Sequence, residues 1–230
     1  MPKTRTTILI ADDHNLIREG LRTLLGNEKD FNIVGEASTG KEAVDLAKKL
    51  SPDLVIMDLS MPVLNGFEAM RQIRRARPNT KLVVLSAYCD DKYIERTAEL
   101  GAHGFISKEN SYATLAKSIR HIVKGKTPFL PIVQGCATPA KTRKYSSRSL
   151  GERGRNDGLT ARELQVLQLV SEGAANKQVA AALGISIKTV QKHRQQLMDK
   201  LDIHDTAGLT RYAIGAGVIE NGVTRKNGLS

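Results

Sequence analysis

The chain has 230 residues, of which 40% are hydrophobic and only 4% aromatic, and its formal net charge is +11. This length allows one or two domains whose cores must be filled mainly by aliphatic side chains. No apolar stretch approaches the roughly 20 residues of a membrane span, and Met1-Pro2-Lys3 leads straight into a predicted strand, so we expect neither membrane insertion nor a signal peptide. Cys89 and Cys136 provide no disulfide framework and no metal spacing, which favours a cytoplasmic protein.

Up to residue 124, short apolar segments alternate with segments of helical periodicity. The predicted strands are Ile8–Ala11, Phe31–Gly35, Leu54–Met57, Leu82–Leu85 and Gly104–Ile106. The predicted helices are Asn15–Leu25, Gly40–Leu50, Gly66–Arg77, Asp91–Leu100 and Tyr112–Val123. Such a repeat predicts an α/β domain with a doubly wound, five-stranded parallel sheet of flavodoxin-like order, covered by helices on both faces.

Polar residues follow four of these strands, and together they suggest a chemical site. They are Asp12, Asp13, Asp58, Ser86 and Lys108. In open α/β sheets, ligands bind at the carboxyl ends of the strands, and clustered carboxylates there suit a hard cation such as Mg2+. A metal ion and a lysine facing a carboxylate suit phosphoryl transfer, with Asp58 accepting the group and Ser86 donating a hydrogen bond to it. Each Asp could alone be a helix cap or turn former, but capping explains the whole set poorly.

The pattern stops between residues 125 and 158. This stretch has seven Lys or Arg residues against two acidic ones, and prolines at 128, 131 and 139. We interpret it as a basic interdomain linker without firm secondary structure, between a domain at 1–124 and another at 159–222. The last residues, 223–230, form an unpatterned tail.

The second domain has a purely helical pattern. Thr160 and Glu163 predict a capping box at the start of its first helix, and Asn176 is the predicted cap of the second. Ser186 is predicted to cap the third helix, Ile187–Leu201, and Asp205 to open a fourth. A short helix, a turn and a longer helix form a helix-turn-helix pattern, here within an all-α four-helix domain.

The third helix has an apolar and a polar face. Val190, Leu197 and Leu201 share the face expected to pack inward. The residues expected to contact DNA are Lys188, Thr189, Gln191, Lys192, His193 and Gln195 on this helix, and Lys177 on the second. Gln suits adenine edges and Lys suits guanine or phosphate, although a polar helix face can also be simply solvated.

Two groups of motifs carry a family resemblance. "IADDHNLIREGLRTLL", "PDLVIMDLSMPVLNGFEAMRQIR", "LVVLSAY" and "GAHGFISK" resemble the receiver domain of bacterial response regulators, over residues 6–124. The segment that begins "LTARELQVLQLVSEGAANKQVAAALGISIKTVQKHRQQL" resembles the LuxR-type DNA-binding domain, over residues 159–219. The two together resemble the NarL/FixJ subfamily of response regulators.

This resemblance assigns roles to the residues at the strand ends. It implies that Asp58 accepts phosphate from a sensor histidine kinase and that Lys108 pairs with the phosphoryl oxygens. Asp13 and Asp58 would hold Mg2+, helped by Asp12 through water and by the main-chain carbonyl of Ser60. Two further positions carry the switch: Ser86 would supply the hydroxyl and Phe105 the aromatic ring, both moving inward on phosphorylation.

The resemblance also implies a transcription regulator that binds double-stranded promoter DNA, forms a homodimer when active and could contact RNA polymerase. It implies no enzyme, beyond Mg2+-dependent self-phosphorylation from small phosphodonors and self-dephosphorylation. One alternative is a phosphatase with an aspartyl-phosphate intermediate, but Ser60 stands where haloacid-dehalogenase-type enzymes have a second acid. Another is a DNA-binding protein whose first domain responds to a protein contact or another ligand without phosphate.

Overall fold

The computed structural model describes residues 5–87, 91–125, 129–132 and 158–219. The chain divides into two compact units, Met1–Gly154 and Arg155–Ser230. Cys89 and Cys136, most of the predicted linker and the whole predicted tail lie outside the described residues. No helix in the described ranges is long and apolar enough to cross a membrane.

The first unit is the predicted parallel α/β fold. Its strands are β1 (Thr6–Ala11), β2 (Phe31–Ala37), β3 (Leu54–Met57), β4 (Lys81–Ser86), β5 (Gly104–Ser107) and β6 (Leu130–Ile132). Its helices are α1 (Asn15–Gly26), α2 (Gly40–Leu50), α3 (Gly66–Ala76), α4 (Asp91–Glu99) and α5 (Tyr112–Val123). All neighbouring strands are parallel, in the order β2-β1-β3-β4-β5-β6. The ten elements predicted for this unit agree with the observed bounds within two residues.

Both faces of the sheet are buried, because successive side chains of a strand point to opposite faces. On β1, Leu9 and Ala11 join one apolar cluster, whereas Ile8 and Ile10 join the other. Phe105 lies in the first cluster and its neighbour Ile106 in the second. The strands therefore form the middle layer of a three-layer unit, and their carboxyl ends emerge at one edge.

The sheet has six strands, so the predicted count of five is wrong. The sixth strand, β6, lies inside the stretch interpreted as a linker without secondary structure, and it pairs with β5. Three residues around Pro131 give too short a run for a periodic signal. The strand forms because β5 offers it a free edge, and Leu130 and Ile132 pack partly against the core.

The second unit contains four helices in its described part, as predicted. They are α6 (Ala161–Ser171), α7 (Asn176–Leu183), α8 (Ile187–Leu201) and α9 (Thr206–Gly215). The capping box at Thr160 and Glu163 is present. The predicted cap at Asn176 is wrong, because Ala175 occupies that position and its N–H donates to Gln178 Oε1 at 2.8 Å. Asn176 is instead the first helical residue.

Candidate phosphoacceptor site and DNA-binding helix

Three predicted site residues meet where the strands end. Asp12 follows β1, Asp58 follows β3 and Lys108 follows β5, and both carboxylates are almost fully buried. Lys108 Nζ lies 2.8 Å from Asp58 Oδ2 and 2.8 Å from Asp12 Oδ2. One ammonium group therefore bridges two buried carboxylates, an arrangement that the separate strand ends could only suggest.

Burial and charge act in opposite directions on this pair. Burial raises the pKa of Asp58, Lys108 opposes the rise and Asp12 adds to it. Burial alone would lower the pKa of Lys108, but Asp58 and Asp12 outweigh it, so that pKa is raised and the side chain stays charged. A single positive charge shared by two carboxylates leaves the site with an excess of negative charge.

The donor atoms fit a divalent cation. Asp12, Asp13, His14 and Asp58 each offer a ligand atom, and these atoms all lie within 4.8 Å of one another. Three carboxylates and one ammonium leave a formal charge of two minus, which a divalent ion balances. Carboxylate oxygens are the ligands that Mg2+ takes, and Ser60 lies beside them, since its N–H approaches Asp58 Oδ1 at 3.4 Å.

Two residues at this site were missed by the sequence reasoning. His14 Nδ1 lies 2.9 Å from Asp13 Oδ1 and 3.2 Å from Asp12 Oδ1. Arg18 donates from Nη1 to the main-chain oxygen of Asp12 at 2.7 Å and pairs with Glu36 at 3.4 Å. His14 directly follows the acidic pair, which could have drawn attention to it. Arg18 reaches the site only because α1 packs beside β1, and no local motif signals that.

The two predicted switch residues are both fully buried. Ser86 ends β4, and its main-chain oxygen accepts the Lys108 N–H at 2.8 Å. Phe105 lies in the core on β5, three residues before Lys108. Burial of both side chains does not test their movement, so the switch roles of Ser86 and Phe105 stay predictions.

The loop between β3 and α3 follows a tight path around Asp58. The Leu64 N–H donates to the Pro62 oxygen at 2.8 Å across a turn centred on Val63, whose φ is +70°. A Cβ on Gly66 would lie 2.1 Å from the Asp58 main-chain oxygen. Only glycine fits there, because any side chain would clash with the main chain at Asp58.

In the second unit, α8 presents the predicted polar face. Val190 and Leu197 are fully buried in the helical core. The side chains of Lys188, Gln191, Lys192 and Gln195 are exposed, as is Lys177 on α7. Spacings of three and four residues place the four side chains of α8 on one side of the helix. The structure therefore brings the four predicted DNA contacts of α8 to one accessible surface.

Three further polar residues of α8 are only half-exposed. Thr189 Oγ1 lies 2.8 Å from Ser186 Oγ, at the cap of the helix. His193 is half-buried. Arg194 donates to Thr206 Oγ1 at 2.7 Å and to Asn176 Oδ1 at 3.3 Å, linking α8 to α9 and α7. These bonds support a structural role for Arg194.

The family comparisons agree with this two-part geometry. The family described as "Response regulator receiver domain" matches residues 8–120, and the one described as "Bacterial regulatory proteins, luxR family" matches residues 157–213. The response regulator protein VraR of Staphylococcus aureus is 33% identical over 213 residues, which cover 93% of this chain and 98% of VraR.

Two solved structures are similar to this chain, one over most of its length and one over about half of it. RcsB from Salmonella enterica serovar Typhimurium, bound to promoter rprA with phosphomimetic BeF3-, is 26% identical, with a TM-score of 0.52 over 91% of this chain and 98% of RcsB. A two-component response regulator of the LuxR family from Aurantimonas sp. is 31% identical, with a TM-score of 0.51 over 53% of this chain and 87% of that one.

Proposed function

Because this chain belongs to the two-component response regulators of the NarL/FixJ type, which are transcription regulators, we propose that phosphorylation of Asp58 by a sensor histidine kinase controls its binding to promoter DNA. The observation that carries the proposal is the bridge of Lys108 to Asp58 and Asp12 at the carboxyl edge of the sheet. A buried carboxylate with a fixed cation beside it is suited to take up a phosphoryl group.

The residues around Asp58 have separate roles in this proposal. Lys108 stabilises the phosphoryl oxygens, and the Ser86 hydroxyl donates a hydrogen bond to one of them. Asp13 and Asp58 would bind Mg2+ directly, Asp12 through water, and Ser60 through its main-chain carbonyl. Bound Mg2+ would neutralise negative charge on the phosphoryl oxygens. The same groups allow the protein to phosphorylate itself from small phosphodonors and to lose the phosphate again.

The exposed face of α8 is the proposed DNA-reading surface. Its Lys and Gln side chains suit the major groove, where a recognition helix reads base edges. RcsB, which matches 91% of this chain, has been solved with promoter DNA. The active protein would be a homodimer that binds two half-sites about one helical turn apart. RNA polymerase is a further proposed partner, and the proposed location of the protein is the cytoplasm.

The test combines phosphorylation with DNA occupancy. Acetyl phosphate with Mg2+ should add one phosphoryl group to the wild-type chain, seen by intact mass, and should change the DNase footprint on promoter DNA. Asp58→Asn should show neither change, because the amide cannot accept the group. Asp45→Asn, an exposed carboxylate on α2, is the control and should behave as wild type.

Equal labelling of Asp58→Asn and wild type would remove Asp58 from its proposed role. Labelling without any change in the footprint would separate the phosphorylation site from DNA binding. Sustained hydrolysis of a phosphate ester would instead support the aspartyl-phosphate phosphatase alternative.

A further inference from the structure

The sixth strand lies next to the turn that carries Lys108. β6 pairs with β5 in the register Gly104 with Leu130, Phe105 with Pro131 and Ile106 with Ile132. Two residues after Ile106, the chain reaches Lys108. β6 is also the last described element before the DNA-binding unit, which begins at Arg155. It therefore connects the edge of the phosphoacceptor site to the segment that leads to the output unit.

Asn110 joins the Lys108 turn to this strand. Its Nδ2 donates to the main-chain oxygen of Ile132 at 3.0 Å and to that of Ser107 at 3.2 Å. The main-chain N–H of Asn110 also donates to the Ser107 oxygen at 3.0 Å. One amide side chain therefore holds the turn around Lys108 and the carboxyl end of β6 together. A change in that turn bears directly on β6.

The remaining attachment of β6 is limited. The strand has three residues, and its side chains are only half-buried. The Leu130 N–H donates to the His103 oxygen at 3.0 Å, and alternation along the strand then directs position 131 away from β5. Pro131 has no N–H to offer at that outer edge, so no further strand is recruited. A short edge strand with few buried apolar contacts belongs to the part of a fold that opens most easily.

Phosphorylation must disturb the other end of this connection. Lys108 Nζ lies 2.8 Å from Asp58 Oδ2, which is direct hydrogen-bonding distance and leaves no space for a phosphoryl group between them. A group on Oδ2 must therefore displace Nζ from that oxygen. A group on Oδ1 brings charged phosphoryl oxygens that compete with Asp12 for Nζ. The turn from Ser107 to Asn110 carries Lys108 and is the main chain through which a shift of this side chain is transmitted.

We propose that β6 is a releasable strap, held on the sheet by Asn110 and freed when Asp58 is phosphorylated. Release detaches Leu130–Ile132, which precede the DNA-binding unit in the chain, from the sheet. This inference rests on the proposed function, since it requires phosphorylation of Asp58. It adds a route by which the modification changes the segment between the two units.

Amide hydrogen exchange of the full-length protein tests the strap. Acetyl phosphate with Mg2+ transfers its phosphoryl group to an Asp58 carboxylate oxygen and leaves as acetate. In the wild type we expect exchange at Leu130 to become about tenfold faster or more on phosphorylation, while the central strand β1 keeps its protection. Asn110→Ala should show fast exchange at Leu130 without phosphodonor and little further change with it. Leu130→Ala, which removes packing and leaves the Asn110 hydrogen bond, should also show fast amide exchange at Ile132 without phosphodonor.

Asn32→Ala, an exposed substitution on the opposite edge strand β2, is the matched control and should leave exchange in β6 as in wild type. Unchanged protection at Leu130 in a sample whose intact mass shows full phosphorylation would overturn the strap and leave the proposed function standing. Absence of any mass gain would overturn the proposed function and the strap with it. A loss of protection in β1 of Asn110→Ala would show general unfolding of that variant. Exchange at Ile132 in Leu130→Ala would then be the test of whether β6 is a releasable strap.

Discussion

Val63 adopts a backbone conformation that its side chain disfavours. Its φ of +70° is unusual for any residue with a Cβ and more so for a β-branched one. Such a conformation costs of order 1–3 kcal/mol, whereas the extra freedom of glycine in the unfolded chain costs about 0.4–1 kcal/mol. We therefore expect Val63→Gly to raise the free energy of unfolding of the first unit by about 0.5–2 kcal/mol.

Calorimetric unfolding of the full chain measures this effect. Val63→Ala is the matched control, because alanine keeps the Cβ that causes the strain while removing the branched side chain. If both variants shift the transition equally, backbone strain at position 63 is not the reason. A stabilised Val63→Gly chain with normal phosphorylation would show that the strain is not required for phosphotransfer.

His103 is held in its neutral form by its surroundings. Its Nδ1 accepts the Leu82 N–H at 3.2 Å, which requires an unprotonated nitrogen. Burial, followed by the charges of Lys81 and Arg74, lowers the pKa of His103 to about 4, from 6.5 in the unfolded chain. The unfolded chain then binds the proton first, so this contribution to stability is complete above pH 6.5 and is lost as the pH falls towards 4.

The expected loss is at most about 3 kcal/mol across this window, at about 1.4 kcal/mol per pKa unit. Denaturant unfolding of wild type and His103→Gln, at several pH values spanning roughly 7 to 4, measures this loss of stability. The variant should show a smaller decline in stability with falling pH, while the other four histidines contribute equally to both curves. Parallel curves would mean that His103 does not titrate in this range.

Among the elements, those with a strong local pattern could be predicted and β6 could not. Neighbouring residues in the sequence determine the apolar runs of β1 and β3 and the capping box of α6. The pairing of β6 depends on the edge of β5 and on Asn110, which lies 22 residues before Ile132. Likewise, the positions of Asp12, Asp58 and Lys108 at strand ends predicted that they belong to one site. Only the assembled sheet shows that the Lys108 ammonium group bridges both carboxylates.

The proposed recognition helix α8 permits a test that separates its two kinds of polar side chain. A lysine that contacts phosphate releases a counterion, so its loss should lower the slope of log affinity against log salt by about 0.9. A glutamine that reads a base should leave that slope unchanged and weaken discrimination by about 1–3 kcal/mol. We expect Lys192→Ala to show the first effect and Gln191→Ala the second.

Fluorescence anisotropy with labelled promoter DNA, at several salt concentrations and with matched and mutated sites, measures both quantities. Lys48→Ala, an exposed lysine on α2 of the first unit, is the charge-matched control and should change neither. An unchanged slope in Lys192→Ala would place this side chain away from phosphate. A reduced slope in Lys48→Ala would show that charge alone, rather than position on α8, governs the measurement.

At the scale of the whole molecule, the charge at the strand ends around Asp58 is opposite in sign to the net charge of the chain. The phosphoacceptor edge holds an excess of carboxylates, whereas the chain as a whole has a net charge of +11. A phosphoryl group adds negative charge to the edge that already has it, so the modified state needs added positive charge to be populated. Lys108 supplies part of that charge, and the proposed Mg2+ supplies the rest.

The effect of a phosphodonor on DNA occupancy should therefore depend on Mg2+, while basal DNA binding should not. In EDTA, at constant ionic strength, acetyl phosphate should leave the promoter footprint unchanged, and adding Mg2+ should restore its effect. Asp13→Ala should raise the Mg2+ concentration needed by about tenfold or more, because it removes a proposed ligand without touching α8. Asp58→Asn, titrated in parallel, reports any direct effect of Mg2+ on the DNA. A full phosphodonor response in EDTA would rule out a requirement for the cation at this site. Lys108 alone would then neutralise enough of the charge around Asp58 for the phosphorylated state to form.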